Sequence, residues 1–421
     1  MRQAAESATD YRRPYRPRAV ALFNALTWRT AGWASMRRLD VQAMVDNAKR
    51  RTGLTRFGDE SFLPALQALV ASINEEAELT PVGVLLQRRQ IEAVLANRLR
   101  ARDLLEHQPE IGEIAIGKVV VITGLARTGT TMLHRLVASH PEIRALKAWE
   151  AINPVPFARE GRRGFDRRLR HARMAQRAIG YLAPAFYAVH PVEHDAAEEE
   201  VFLLEASFMS QMPAAMMHVP SYARWLEQQD HAASYAYLRT LLQILEWQRR
   251  RPYWVLKTPE HMEHLHLLLE TFPEATVVQT HRDPLVAVTS FCSMVAHGRG
   301  VFSDRVDPAA VAEHWVAKAR RMIARSLAAR DASEPGRFVD VSYADLLRDP
   351  MAELIRIYAR SGIPFGDAAR AEAERTAARN VQDRFGRHVY RAADFGLDCA
   401  GIHRTFGDYQ ARFGIAREVR S

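Results

Sequence analysis

The chain has 421 residues, 48% of them hydrophobic and 25% charged. That is enough length and apolar material for one large folded domain or two, and disorder is not the default reading. The 58 Lys and Arg against 49 Asp and Glu leave a formal charge of +9, nearly all of it on arginine. Such a charge attracts anionic partners without choosing among nucleotide, anionic lipid and nucleic acid. No zinc-finger spacing, basic heptad or RNA-type aromatic motif accompanies it, so no nucleic-acid partner is expected. Cys292 and Cys399 support neither a disulfide framework nor a thiolate metal cluster. The first twenty residues lack the apolar stretch of a signal peptide, and no run of about 18 apolar residues is found to span a bilayer, so a cytoplasmic protein is expected.

In chain order, residues 1–116 are expected to form a helical N-terminal segment, because 41–54, 61–77 and 81–106 carry apolar residues at three-to-four spacing. Lys118-Val-Val-Val-Ile-Thr123 is then a β-branched run of the kind buried in a parallel sheet. Further strands are expected at 253–257, 275–280 and 337–341, separated or followed by helices at 263–271 and 345–361. Strands alternating with helices predict an α/β fold with a P-loop-like parallel sheet flanked by helices, spanning 117–421. A mostly helical insertion over 159–251, between the first and second predicted strands, is placed to shape an acceptor site.

The strongest motif follows the first strand: Gly124-Leu-Ala-Arg-Thr-Gly-Thr-Thr131, then the amphipathic 132–138. Glycines allow a tight turn, and Thr128, Thr130 and Thr131 supply hydroxyls. The amides of Gly129 to Thr131 open a helix whose dipole favours an anion. The G-x-x-x-x-G spacing matches a Walker A loop, but Thr130 stands where that loop needs Lys, and the cation is Arg127 inside the turn. A nucleotide triphosphatase would lose its phosphate lysine by this change. Downstream, Leu256-Lys-Thr-Pro259 ends one strand and Val277-Val-Gln-Thr-His-Arg-Asp-Pro284 ends the next, with Ser290 eight residues after Arg282. Lys257, Arg282 and Ser290 can therefore converge at the carboxyl ends of the strands, where open α/β sheets bind nucleotides.

GLARTGTT followed by His140-Pro141 and Trp149-Glu150, together with the KTP and HRDP-to-Ser290 segments, resembles the sulfotransferases that use 3′-phosphoadenosine 5′-phosphosulfate (PAPS). The likeness is to the bacterial branch similar to tyrosylprotein sulfotransferases. It implies that Arg127 contacts the 5′-phosphate and the leaving oxygen, that Arg282 and Ser290 bind the 3′-phosphate, and that a basic loop holding Arg384, Gly386 and Arg387 closes over the 3′-phosphate. The reaction implied is in-line transfer of a sulfuryl group to an alcohol, releasing 3′,5′-bisphosphoadenosine (PAP), with Arg127 and Lys257 as electrostatic groups and no metal required. Two bases are open, Glu150 beside Trp149 and His194 in His190-Pro-Val-Glu-His-Asp195. His261, His264 and His266 are expected on a partly exposed helical face. The Phe-, Leu- and Met-rich stretch 198–217, with Phe208 and Met209, suggests a hydrophobic small-molecule or lipid-like acceptor if part of it faces the cleft. The arginines of 159–177 allow peripheral contact with anionic lipid. The rivals are a P-loop small-molecule kinase or nucleotide hydrolase, and a basic nucleotide- or lipid-binding scaffold without a base.

Overall fold

The computed structural model describes residues 10–30, 33, 37–191, 193–379 and 390–418. Five parallel strands form one sheet in the order β2-β3-β1-β4-β5: β1 is Lys118–Gly124, β2 Ile143–Ala145, β3 Tyr253–Lys257, β4 Thr276–His281 and β5 Phe338–Ser342. Alternate residues of these strands enter two separate cores. Val120, Ile122, Val255 and Val278 meet Leu133, Leu136 and Leu354 on one face, whereas Val119, Val121, Leu256 and Val277 meet Leu95 and Leu242 on the other. Both faces are thus covered, which is why the strand sequences read as continuous apolar runs.

β2 is only three residues long, and sequence periodicity misses it, since so short a run carries no alternation. The inserted helices accordingly lie between β2 and β3. The helix expected over 345–361 is two helices, Tyr343–Arg348 and Pro350–Ser361, divided where Pro350 cannot continue the first and Asp349 caps the second by accepting the Ala352 amide at 2.9 Å. The helices Val41–Thr52, Leu63–Glu76 and Pro81–His107 form close to where expected. They bury Leu66, Leu95 and Leu99 in the same core that receives Val119 and Val121. Among the described residues one helix, Pro284–Phe302, is long and apolar enough to cross a membrane, contrary to the expectation of no such run. Interspersed Ser, Thr and His residues hide its high mean hydropathy from a search for unbroken apolar stretches. Buried over 67% of its most apolar window, it packs on Met212–Met216 and Pro308–Asp331 as a core helix.

Candidate active site

β1 runs into Gly124, at φ 142°, where a Cβ would lie 2.4 Å from the Thr280 hydroxyl and 2.6 Å from its carbonyl oxygen. Only glycine fits there. The turn then holds Arg127 at φ 72° and Gly129 at φ 90° before the helix Thr130–Val137 begins. Thr128 is fully buried, donates to the Leu125 carbonyl at 2.6 Å and bonds the Thr280 hydroxyl at 2.6 Å, so it locks the turn to β4. Thr130 and Thr131 stand on the cavity side of the helix start.

Arg127 is turned inward by its left-handed backbone. Its Nε donates to Ser290 Oγ at 3.2 Å and its Nη1 to the Val189 carbonyl at 3.4 Å. Arg282 Nη1 donates to the Arg127 carbonyl at 3.0 Å, and its guanidinium lies 4.0 Å over the Tyr343 ring. The fork of Arg282 is filled by an internal anion: Nε and Nη2 donate to the two Glu418 carboxylate oxygens at 2.6 and 2.9 Å. Burial lowers the Arg127 pKa, and the Arg282 charge lowers it further. Arg282 is raised instead, because the Glu418 carboxylate outweighs burial.

Lys257, at the end of β3, is fully buried with its Nζ 3.5 Å from Thr131 Oγ1 and in contact with the Glu199 carboxylate. The Lys257 amide donates to Glu200 at 2.7 Å; Glu200 is 2.7 Å from His261 Nε2, and His261 Nδ1 is 2.7 Å from the Tyr235 hydroxyl. This buried chain fixes the backbone that carries the lysine. His261 and His264 therefore do not lie on the partly exposed face expected; both are buried, His261 in the chain just described and His264 stacked on His231 at 3.9 Å.

The loop opens into a cavity of about 790 Å³. Arg127, Thr131, Arg282 and Ser290 line one part, and Ile179, Leu182, Phe186, Phe291, Met294 and Met216 are among the mostly apolar remainder. Glu198 and Glu199 stand in its wall. Burial raises the Glu198 carboxyl, against the pull of Lys257, and pushes the His190 imidazole down to about 4. A half-buried Glu205, receiving a hydrogen bond from Gln90 at 3.3 Å, is pushed up to about 7 by burial in the apolar part.

A turn with its cation inside, backed by a second arginine and a serine, is not the lysine-bearing loop of a triphosphatase. Residues 120–367 match a profile described as the sulfotransferase family. The chain belongs to the sulfotransferase family. Two relatives, named omega-hydroxy-beta-dihydromenaquinone-9 sulfotransferase Stf3, from Mycobacterium bovis and Mycobacterium tuberculosis, are each 26% identical over 255 residues, or 58% of this chain and 62% of theirs. The chain thus spans less than two thirds of the length of these curated relatives. Among solved structures, sulfotransferase STF1 from M. tuberculosis is 30% identical with a TM-score of 0.78, covering 89% of this chain and 100% of that one. STF9 from Mycobacterium avium is 27% identical with a TM-score of 0.81, covering 90% and 98%.

Within this sulfotransferase fold, Arg127, Gly129, Thr130, Thr131, Arg282 and Ser290 share the cavity wall, and Lys257 reaches Thr131 from β3. Glu150 is not brought there. It is buried, ion-paired with Arg144 at 2.8 Å, and accepts the Lys147 amide at 3.0 Å, capping the helix Ala148–Ile152. His194 does line the cavity. Arg173 Nε donates to its Nε2 at 3.2 Å, which places the proton on Nδ1, facing Gln176 Oε1 at 2.7 Å. Phe208 lines the cavity, but Met209 does not, being buried in the core; Met212, Met216 and Met217 line it instead. Arg384, Gly386 and Arg387 lie outside the described residues. Sequence reasoning missed Glu199, Tyr343 and Glu418. The run Glu198-Glu-Glu200 inside an apolar stretch was the available signal for the first, since adjacent carboxylates in such a setting need a cation.

Proposed function

We propose that this chain transfers a sulfuryl group from PAPS to the hydroxyl of a hydrophobic, lipid-like small molecule, as a cytoplasmic enzyme. The observation that carries the reading is the Arg127 to Ser290 contact at 3.2 Å. It joins the cation of the 5′-phosphate turn to the serine of the second nucleotide motif, so one wall holds groups for both phosphates of the donor. The bidentate grip of Arg282 on a carboxylate supports it further, since the same fork suits a phosphate monoester.

In this reading Arg127 and Lys257 neutralise the charge that develops on the bridging oxygen as the acceptor oxygen attacks sulfur in line. PAP leaves with the bond pair. The acceptor proton passes to a carboxylate in the cavity wall, a role this reading gives to Glu199, which contacts Lys257. The two Stf3 relatives are named for an omega-hydroxylated dihydromenaquinone, and the apolar lining here suits an alcohol of that kind. A finer affinity, to the branch similar to tyrosylprotein sulfotransferases, belongs to the same reading.

Calorimetry tests it. PAP is expected to bind without magnesium and ATP with magnesium to bind no better than without; binding that requires ATP and magnesium would overturn the reading. Transfer of label from ³⁵S-PAPS to a panel of long-chain and prenyl alcohols then tests the acceptor class.

A further inference from the structure

The helix Asp166–Leu182 has two faces that differ in kind. Ala172, Ala175, Ile179 and Leu182 point inward and line the cavity. At 3.6 residues per turn, Arg167, Arg170, Arg173, Met174, Arg177 and Tyr181 fall within a sector of about 120° on the other side, and all six are exposed, Met174 at 66% and Tyr181 at 54%. Arg163 stands exposed just before the helix. None of these five arginines joins an ion pair among the described residues, and the one acid on this face is Asp166.

A second helix, packed against one whose residues line the cavity, carries exposed apolar side chains. Arg18–Trp28 docks on the start of Pro81–His107, with Asn24 accepting the Val82 amide at 3.1 Å, and Leu86, in the next turn, lines the cavity. Leu22 (61%) and Leu26 (57%) are exposed on its outer side, flanked by Phe23 (41%), while Trp28 (50%), one turn after Asn24, packs edge-on against Trp33.

We propose that the arginine face of Asp166–Leu182, with the apolar side chains of Arg18–Trp28, docks on an anionic lipid bilayer, so that the apolar cavity behind Asp166–Leu182 takes its acceptor from the membrane. The surface deepens the reading of a lipid-like acceptor and rests on it. Charge complementarity selects the occupant: arginines without acidic partners suit lipid phosphates, while Leu, Phe, Met, Tyr and Trp side chains suit the boundary between headgroups and acyl chains. A second copy of this chain fits the arginine face badly, because a twofold interface would set like charges against each other. Nucleic acid would leave the apolar side chains unmatched.

The test is flotation of the full chain with phosphatidylcholine vesicles, with and without about one-third phosphatidylglycerol. The chain is expected to bind the anionic vesicles, and less so at high salt. Arg170→Gln with Arg177→Gln should weaken binding about 25-fold, taking about fivefold for each arginine. Leu22→Ser with Leu26→Ser should weaken it at least about tenfold. Both double variants should keep the parent's PAP affinity in calorimetry, which shows that they fold. The proposal is overturned if the parent does not float, or if Arg170→Gln with Arg177→Gln floats equally well. It is also overturned if the leucine variant turns a dimer into a monomer while leaving flotation unchanged, which would assign that face to a second copy. Flotation needs neither donor nor acceptor, so loss of PAP binding with flotation intact would count against the proposed function alone.

Discussion

Arg127 sits in a backbone conformation that costs an arginine energy, at φ 72°, and the cost is offset where the guanidinium reaches Ser290 and Val189. Arg127→Ala should therefore weaken PAP binding about 10- to 150-fold in calorimetry, the range for losing a charged hydrogen-bond donor, while thermal stability stays near the parent's. The two candidate carboxylates separate by a different measurement. Glu199→Gln should lower kcat about 10²- to 10⁴-fold with PAP affinity held or improved, because Lys257 is released to the donor. Glu150→Ala should instead lower unfolding free energy by about 3–5 kcal/mol, since it strands the buried Arg144. A kcat lost in Glu150→Ala at undiminished stability would reverse these assignments.

At the scale of elements, the end of β4 and the segment holding Glu418 meet at one site. Glu418 fills the fork of Arg282, and its amide donates to Asp283 at 2.8 Å, so the segment occupies the place proposed for the 3′-phosphate. Glu418→Gln is expected to tighten PAP binding about fivefold or more, by removing a charge-assisted competitor; unchanged affinity would show that the segment moves aside freely. Gly124→Ala tests the packing of β1 on β4. Its Cβ would strike Thr280, and its φ of 142° is strained for any L side chain, so a loss of about 1–3 kcal/mol is expected in denaturant unfolding.

For the whole molecule, the cavity has a consequence for stability against pH. Glu205, ordinarily titrating near 4.5, is pushed up to about 7 by burial, so between those values the folded state holds more protons than the unfolded one. Stability from this group therefore falls as pH rises from about 4.5 to about 7 and is level above. Glu205→Gln should be more stable than the parent at pH 8, by about 1–3 kcal/mol, and the difference should vanish below pH 4.5. Melting temperatures of both proteins at the two pH values check it.

Four of the five strands, the long helices and the residues of the phosphate turn were legible because each is a local pattern: β-branched runs, three-to-four spacing, and glycines beside a cation. By itself the sequence determined a parallel α/β sheet with an arginine-bearing turn, and the spacing that lets Arg282 and Ser290 approach it. Tertiary structure alone decided which carboxylate faces the cavity. Neither Glu150 nor Glu199 names its partner in sequence, and only packing gives the first to Arg144 and the second to Lys257. It also decided that Glu418, 136 residues from Arg282, occupies that arginine's fork. Such pairings join residues far apart in the chain, and the electrostatics that assign a role to a charge depend on its neighbours in space.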